Sequence, residues 1–145
     1  MYKNHFKPSK TTILKGNSIV LKTTDGFLSN GYVAIKEGAL DMYNKKLLIT
    51  FKNDRRYTEK DTPNMLEVVG EVSEYNQEVV PNKIVDVLDE PATELKNAKL
   101  AIKVNPYYLA LFEDFSCKYL IKNTASLVLV CFDDDIIGVI APIIK

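Results

Sequence analysis

Asn105-Pro106-Tyr107-Tyr108-Leu109-Ala110-Leu111-Phe112-Glu113-Asp114-Phe115 is the stretch on which the reading of the chain turns. Asn105 is a strong N-cap residue, and Pro106 falls at the first helical position, where its missing N–H costs nothing. Tyr108, Leu111, Phe112 and Phe115 recur at i, i+3, i+4 and i+7, which gives a helix one apolar face. Three apolar runs follow: Tyr119-Leu120-Ile121, Leu127-Val128-Leu129-Val130-Cys131-Phe132, and residues 136–143. Asn123-Thr124 and Asp133-Asp134-Asp135 supply the turns between them. A short helix and a strand meander are therefore expected. The last two runs are nearly continuous in apolar character, which implies cover on both faces, or on one face and an interface.

Upstream, Leu100-Ala101-Ile102-Lys103-Val104 alternates as a half-buried strand does. Residues 81–88 read as a helical turn or an extended crossing, ended by Pro91-Ala92-Thr93. Residues 65–80 carry two readings. Met65, Val68, Val69, Val72, Tyr75 and Val79 fit a helical stripe, whereas the valines and Gly70 favour a strand over residues 66–72. The β-branched bias tips the balance toward the strand.

Nearer the start, residues 18–23 and 32–36 read as strands of a hairpin, with two turn signals between them, Asp25-Gly26 and Asn30-Gly31. Either turn can close it. Ile13-Leu14 begins a short strand, residues 38–44 form a helical turn or loop, and residues 46–52 are a strand. Residues 53–64 form a polar connection long enough to be functional, and residues 1–12 a flexible arm. About eight strands to one or two helices make this an α+β fold, a single domain over residues 1–145 with a large antiparallel sheet.

Composition narrows the role. At 145 residues and 46% apolar content, one core is the expectation. No run of 18 apolar residues occurs, and the first residues lack the apolar centre of a secretory signal. Cys117 and Cys131 sit in apolar surroundings without CxxC or histidine company, as buried free thiols of a cytoplasmic protein do. Net charge is zero, yet residues 1–60 hold twelve Lys and Arg against five Asp and Glu, and residues 61–145 hold seven against fourteen. That split gives either one face for a polyanion or two faces that attract each other, within the fold or between copies as a homo-oligomer.

No catalytic constellation, cofactor motif or metal-ligand spacing is present, so the expectation is a non-enzymatic protein without catalytic residues, cofactor or metal. The one histidine, His5, lies in the arm, and three adjacent acids at Asp133–Asp135 cannot all face one ion. Two binding surfaces stand out. Lys7, Lys10 and Lys15 of the arm, with Lys52, Arg55, Arg56 and Lys60, can contact DNA phosphates without reading bases, and Tyr57 can stack. The apolar end of the chain, Ile140-Ala141-Pro142-Ile143-Ile144, either finishes the core or meets a partner.

In this order, the patterns resemble one domain of the bacterial replicative sliding clamp, the β clamp, and more closely the single-domain clamp-like proteins of phages and mobile elements. The resemblance rests on Thr24-Asp25-Gly26 before Val33-Ala34-Ile35-Lys36, and on Val80-Pro81-Asn82 leading to Val87-Leu88. Ile102-Lys103-Val104-Asn105-Pro106-Tyr107-Tyr108-Leu109 and Ile136-Ile137-Gly138-Val139-Ile140-Ala141-Pro142-Ile143 complete it. The family's opening helix has no counterpart before Ile19, its closing proline is displaced to Pro91, and Ala141 stands where methionine is usual. The companion domains that complete a clamp subunit are also lacking. The resemblance implies a clamp-like fold and a partner-peptide pocket lined by Val139, Ala141, Pro142, Ile143 and Ile144. It also implies a phage-encoded protein that binds DNA or replication partners. A protein-binding inhibitor or regulator of a host defence or replication factor is the alternative.

Overall fold

Short strands and capped turns follow one another through the computed structural model, which describes residues 21–29, 32–36, 38, 64–112 and 116–144. In chain order the elements are β1 (Leu21–Lys22), β2 (Phe27–Ser29), β3 (Val33–Lys36), helix α1 (Met65–Val69), β4 (Gln77–Val87), β5 (Glu90–Lys96), β6 (Ala101–Val104), helix α2 (Pro106–Ala110), β7 (Lys118–Ile121), β8 (Val128–Phe132) and β9 (Asp135–Ile140). A 3₁₀ turn, Val72–Glu74, lies between α1 and β4. All pairings are antiparallel, in the order β1-β2-β3-β9-β8-β7-β4-β5-β6. The sheet-rich α+β expectation holds.

Asn105 does what its position predicts. Its side-chain oxygen accepts the Tyr107 N–H at 2.8 Å, and Pro106 opens α2. The helix ends at Ala110, and the chain then turns so that Leu109, Ala110, Leu111 and Phe112 are all buried. Tyr108, Leu111 and Phe112 of the expected apolar face pack into the core, Leu109 and Ala110 are buried as well, and Phe115 lies outside the described residues. Helix α2 and the turn after it thus form a short plug buried on several sides. Each large side chain so removed from water contributes roughly 1.5–3 kcal/mol.

Strand β4 joins the two halves of the sheet. Gln77, Glu78 and Val79 pair with β7, and from Val80 onward the same strand pairs with β5. The register shifts between Pro81 and Lys83, where proline has no N–H to give the ladder. Residues 81–88 are thus the extended alternative. Pro91 does not end the segment as expected: it lies inside β5, reached through a two-residue turn at Leu88 and Asp89 with φ of 50° and 67°.

Residues 66–72 are not a strand. Asn64 accepts the N–H groups of Leu66 and Glu67, Gly70 closes α1 at φ 84°, and Val72–Glu74 makes the 3₁₀ turn. Local capping outweighed the β preference of the valines. The expected two-stranded hairpin is also changed, because the Asp25-Gly26 turn is followed by a strand of its own. Residues 23–26 join β1 to β2, and Phe27–Ser29 is an extra strand paired with both β1 and β3; Asn30 and Gly31 lie outside the described residues.

Alternate residues of the central strands feed two cores on opposite faces. Val128 and Val130 belong to the first, with Ile35, Leu95, Val104, Leu111, Phe112 and Ile140. Leu129 belongs to the second, with Phe27, Ala34, Val69, Tyr75 and Val139. Strands β8 and β9 are therefore covered on both sides. At Gly138 a Cβ would run into the ring of the buried Phe112 and come within 3.2 Å of the Ala34 carbonyl oxygen, so the sheet and the α2 plug close on a bare backbone there.

The last run is a strand only to Ile140. Beyond it, the Ala141 N–H donates to the Tyr32 carbonyl and the Ile143 N–H to the Lys103 carbonyl, each at 2.8 Å. The tail thereby ties the start of β3 to the outer edge of β6. The expectations for residues 1–20 and 39–63, with the arm, the strand over residues 46–52 and the polar connection, lie outside the described residues.

Candidate functional site

Beside the second core is an open, mainly apolar cavity of about 80 Å³. Strands β2 and β3 give it Ser29, Val33 and Ala34, with Tyr32 just before β3. Helix α1 gives Met65 and Val68, and the β8–β9 side gives Leu127, Val139 and Ala141. Its rim is exposed: Tyr32 is 62% and Val68 52% accessible, and Leu66 and Val72 on the neighbouring turns are also exposed. With about 30 Å³ per water in the liquid, the space suits a few waters or one aliphatic side chain.

Each wall has a local cause. Val139 is buried on the second-core face of β9. Ala141 is held by its hydrogen bond to Tyr32. Met65 and Val68 face the cavity because α1 exists at all, through its caps at Asn64 and Gly70. At the other end of α1 the Tyr75 hydroxyl donates to the Val69 carbonyl at 3.0 Å. Lys122 adds a 3.4 Å ion pair with Glu74 and sits 5.4 Å over the Tyr75 ring.

The turn before β2 also reaches this helix. Asp25 accepts the Met65 N–H on Oδ1 at 2.9 Å and the Leu66 N–H on Oδ2 at 3.1 Å, while Thr23 Oγ1 donates to Oδ1 at 2.6 Å. Burial pushes the Asp25 carboxyl up, but these donors outweigh it, and its pKa lies below the ordinary 3.8.

Of the expected partner residues, the structure brings two together here: Val139 and Ala141 line the cavity. Pro142 and Ile143 are half-buried outside it, and Ile143 is engaged through its backbone with β6; Ile144 is 67% exposed. Reading the tail as one continuous apolar surface missed that its residues separate to different neighbours. The sequence reading also missed Tyr32, Met65, Val68 and Leu127. The helical stripe of Met65, Val68 and Val69 was the available signal for α1.

The expected DNA contacts Lys7, Lys10, Lys52, Arg55, Arg56, Tyr57 and Lys60 lie outside the described residues. The described residues hold twelve Asp and Glu against eight Lys, and no Arg. The cysteines are half-buried rather than buried, and free. Cys117 packs on the first core and Cys131 on the second. Burial, and then the neighbouring Cys131, push the Cys117 thiol up to about 11; burial and Asp134 also raise Cys131, with Lys118 opposing. Neither is an activated nucleophile. Asp133 and Asp134 form an exposed two-residue turn at φ 49° and 67°, and no metal-binding cluster occurs among the described residues. Among those residues, no helix is long and apolar enough to cross a membrane.

No protein-family model, curated protein or solved structure matches the chain.

Proposed function

We propose that the protein is a non-enzymatic, clamp-like binding protein that seats an apolar side chain of a partner protein in the cavity between α1, β3 and β9. The observation that carries the reading is the position of Val139 and Ala141. The resemblance to sliding clamps singled them out as pocket residues, and both line an open apolar cavity with an exposed aromatic at its rim. Filling it with one aliphatic side chain contributes roughly 1.5–3 kcal/mol, enough to anchor a short segment but not to bind it tightly alone. By the same resemblance the partners are replication proteins. Among the described residues, the cavity lining carries no charged side chain, which favours an apolar side chain of a protein over DNA phosphate at this site. DNA contact, if made, belongs to the basic residues of the first sixty positions, and salt-dependent retention on DNA tests it.

The test is capture from bacterial lysate by the wild-type chain and by Val68→Asp. Val68 is half-exposed, so an acid there leaves the fold intact while placing a charge in the cavity mouth. Recovery of polymerase or clamp-loader subunits by the wild type, reduced about tenfold or more in the variant, supports the proposal. Recovery of a defence or metabolic protein instead makes the chain an inhibitor on a clamp-like scaffold. Equal recovery by both proteins rejects the cavity as the docking site.

A further inference from the structure

One wall of the cavity is held from a distance. Met65 and Val68 stand on a helix of five residues, too short to be stable by itself in water. Its C-terminal end is anchored by packing, since Val69 is buried in the second core and its carbonyl accepts the Tyr75 hydroxyl. Its N-terminal end has no such burial: Met65 is half-buried, and Leu66 and Glu67 are exposed. Asn64 caps it, but Asn64 is part of the same segment and moves with it. Met65 also packs against the second core, but among the described residues the hydrogen bonds that tie this end to the sheet side come from the Asp25 carboxylate, with its two acceptor bonds to Met65 and Leu66 across 40 and 41 residues of chain.

We infer that Asp25 is the positioning residue that sets α1 against the β2–β3 hairpin and thereby fixes the width of the cavity. The function of that width rests on the docking reading given above; the positioning does not. Asp25 is itself held in place. Thr23 Oγ1 donates to its Oδ1 and accepts the Phe27 N–H at 3.0 Å, and Gly26 takes the positive φ of 85° that the turn needs. A carboxylate fits because it has two oxygens for two adjacent N–H groups, and charged acceptors make stronger bonds than neutral ones. The Thr23-Thr24-Asp25-Gly26 turn thus acts as a bracket. It carries the placement of the strand ladder over to the mouth of the cavity.

The experiment is amide hydrogen exchange, with the Met65 methyl signal recorded by NMR, on the full chain in four forms: wild type, Asp25→Ala, Asp25→Asn and Asn64→Ala. In Asp25→Ala, exchange at Met65 rises about tenfold or more while Val130 in the core is unchanged, and the Met65 methyl signal moves. Asp25→Asn keeps one acceptor oxygen for Met65 and restores most of its protection. Asn64→Ala weakens the same helix from its own side and leaves the Met65 methyl signal near its wild-type position. A Met65 methyl signal unmoved in Asp25→Ala, or moved equally in Asn64→Ala, overturns the inference, because the bond would then be one helix cap among others. No partner is needed, so a failed capture experiment rejects the docking reading and leaves this test intact.

Discussion

Gly138 shows how much a single missing side chain can decide. It pairs with Ile35 on one side and Val130 on the other, and its face is filled by the Phe112 ring. Gly138→Ala forces that ring or the sheet to shift, which should cost about 1–3 kcal/mol as overpacking does. Urea unfolding measures it, and a change of only a few tenths of a kcal/mol would show the ring to be free to move. Asp25 gives the other prediction at this scale. Its folded pKa is depressed, so its contribution to stability is fully present above the unfolded value near 3.8 and is lost as pH falls through the lower folded value. The stability difference between wild type and Asp25→Ala should therefore be flat near neutrality and shrink in acid. A difference that grows on acidification would contradict the bond pattern.

Among the elements, those announced by chemistry at their ends were legible and those decided by competition were not. Asn105-Pro106 named its helix outright, and Asp133-Asp134 its turn. Helix α1 was obscured because Val68, Val69 and Val72 prefer strands, while its decisive caps, Asn64 and Gly70, flank a segment of only five residues. Strand β5 was hidden by Pro91 and by the turn before it, since Leu88 and Asp89 carry none of the usual Asn-Gly signal. Leu88 is 73% exposed and sits at positive φ, where a bulky residue is strained. Leu88→Asn, which relaxes that turn, should raise stability by about 0.5–1 kcal/mol, read as a higher thermal midpoint. A lower midpoint would mean that Leu88 makes a contact the turn needs.

Over the whole molecule, the antiparallel framework was readable from alternation and apolar runs, but the candidate site was only half readable. Val139 and Ala141 were found because they lie in the stretch that resembles a clamp strand. Tyr32, Met65 and Val68 come to the same cavity from positions far apart in the chain, brought there by the Asp25 bracket and the Ala141–Tyr32 bond. No local pattern announces such a meeting. The central claim is that a partner protein docks at this cavity, and site-specific photocrosslinking tests it most directly. A benzoylphenylalanine placed at Tyr32, on the exposed rim, should crosslink a replication protein in bacterial lysate; the same group at Leu88, on the β4–β5 turn, should not. Crosslinking at Leu88 with none at Tyr32 would contradict the account.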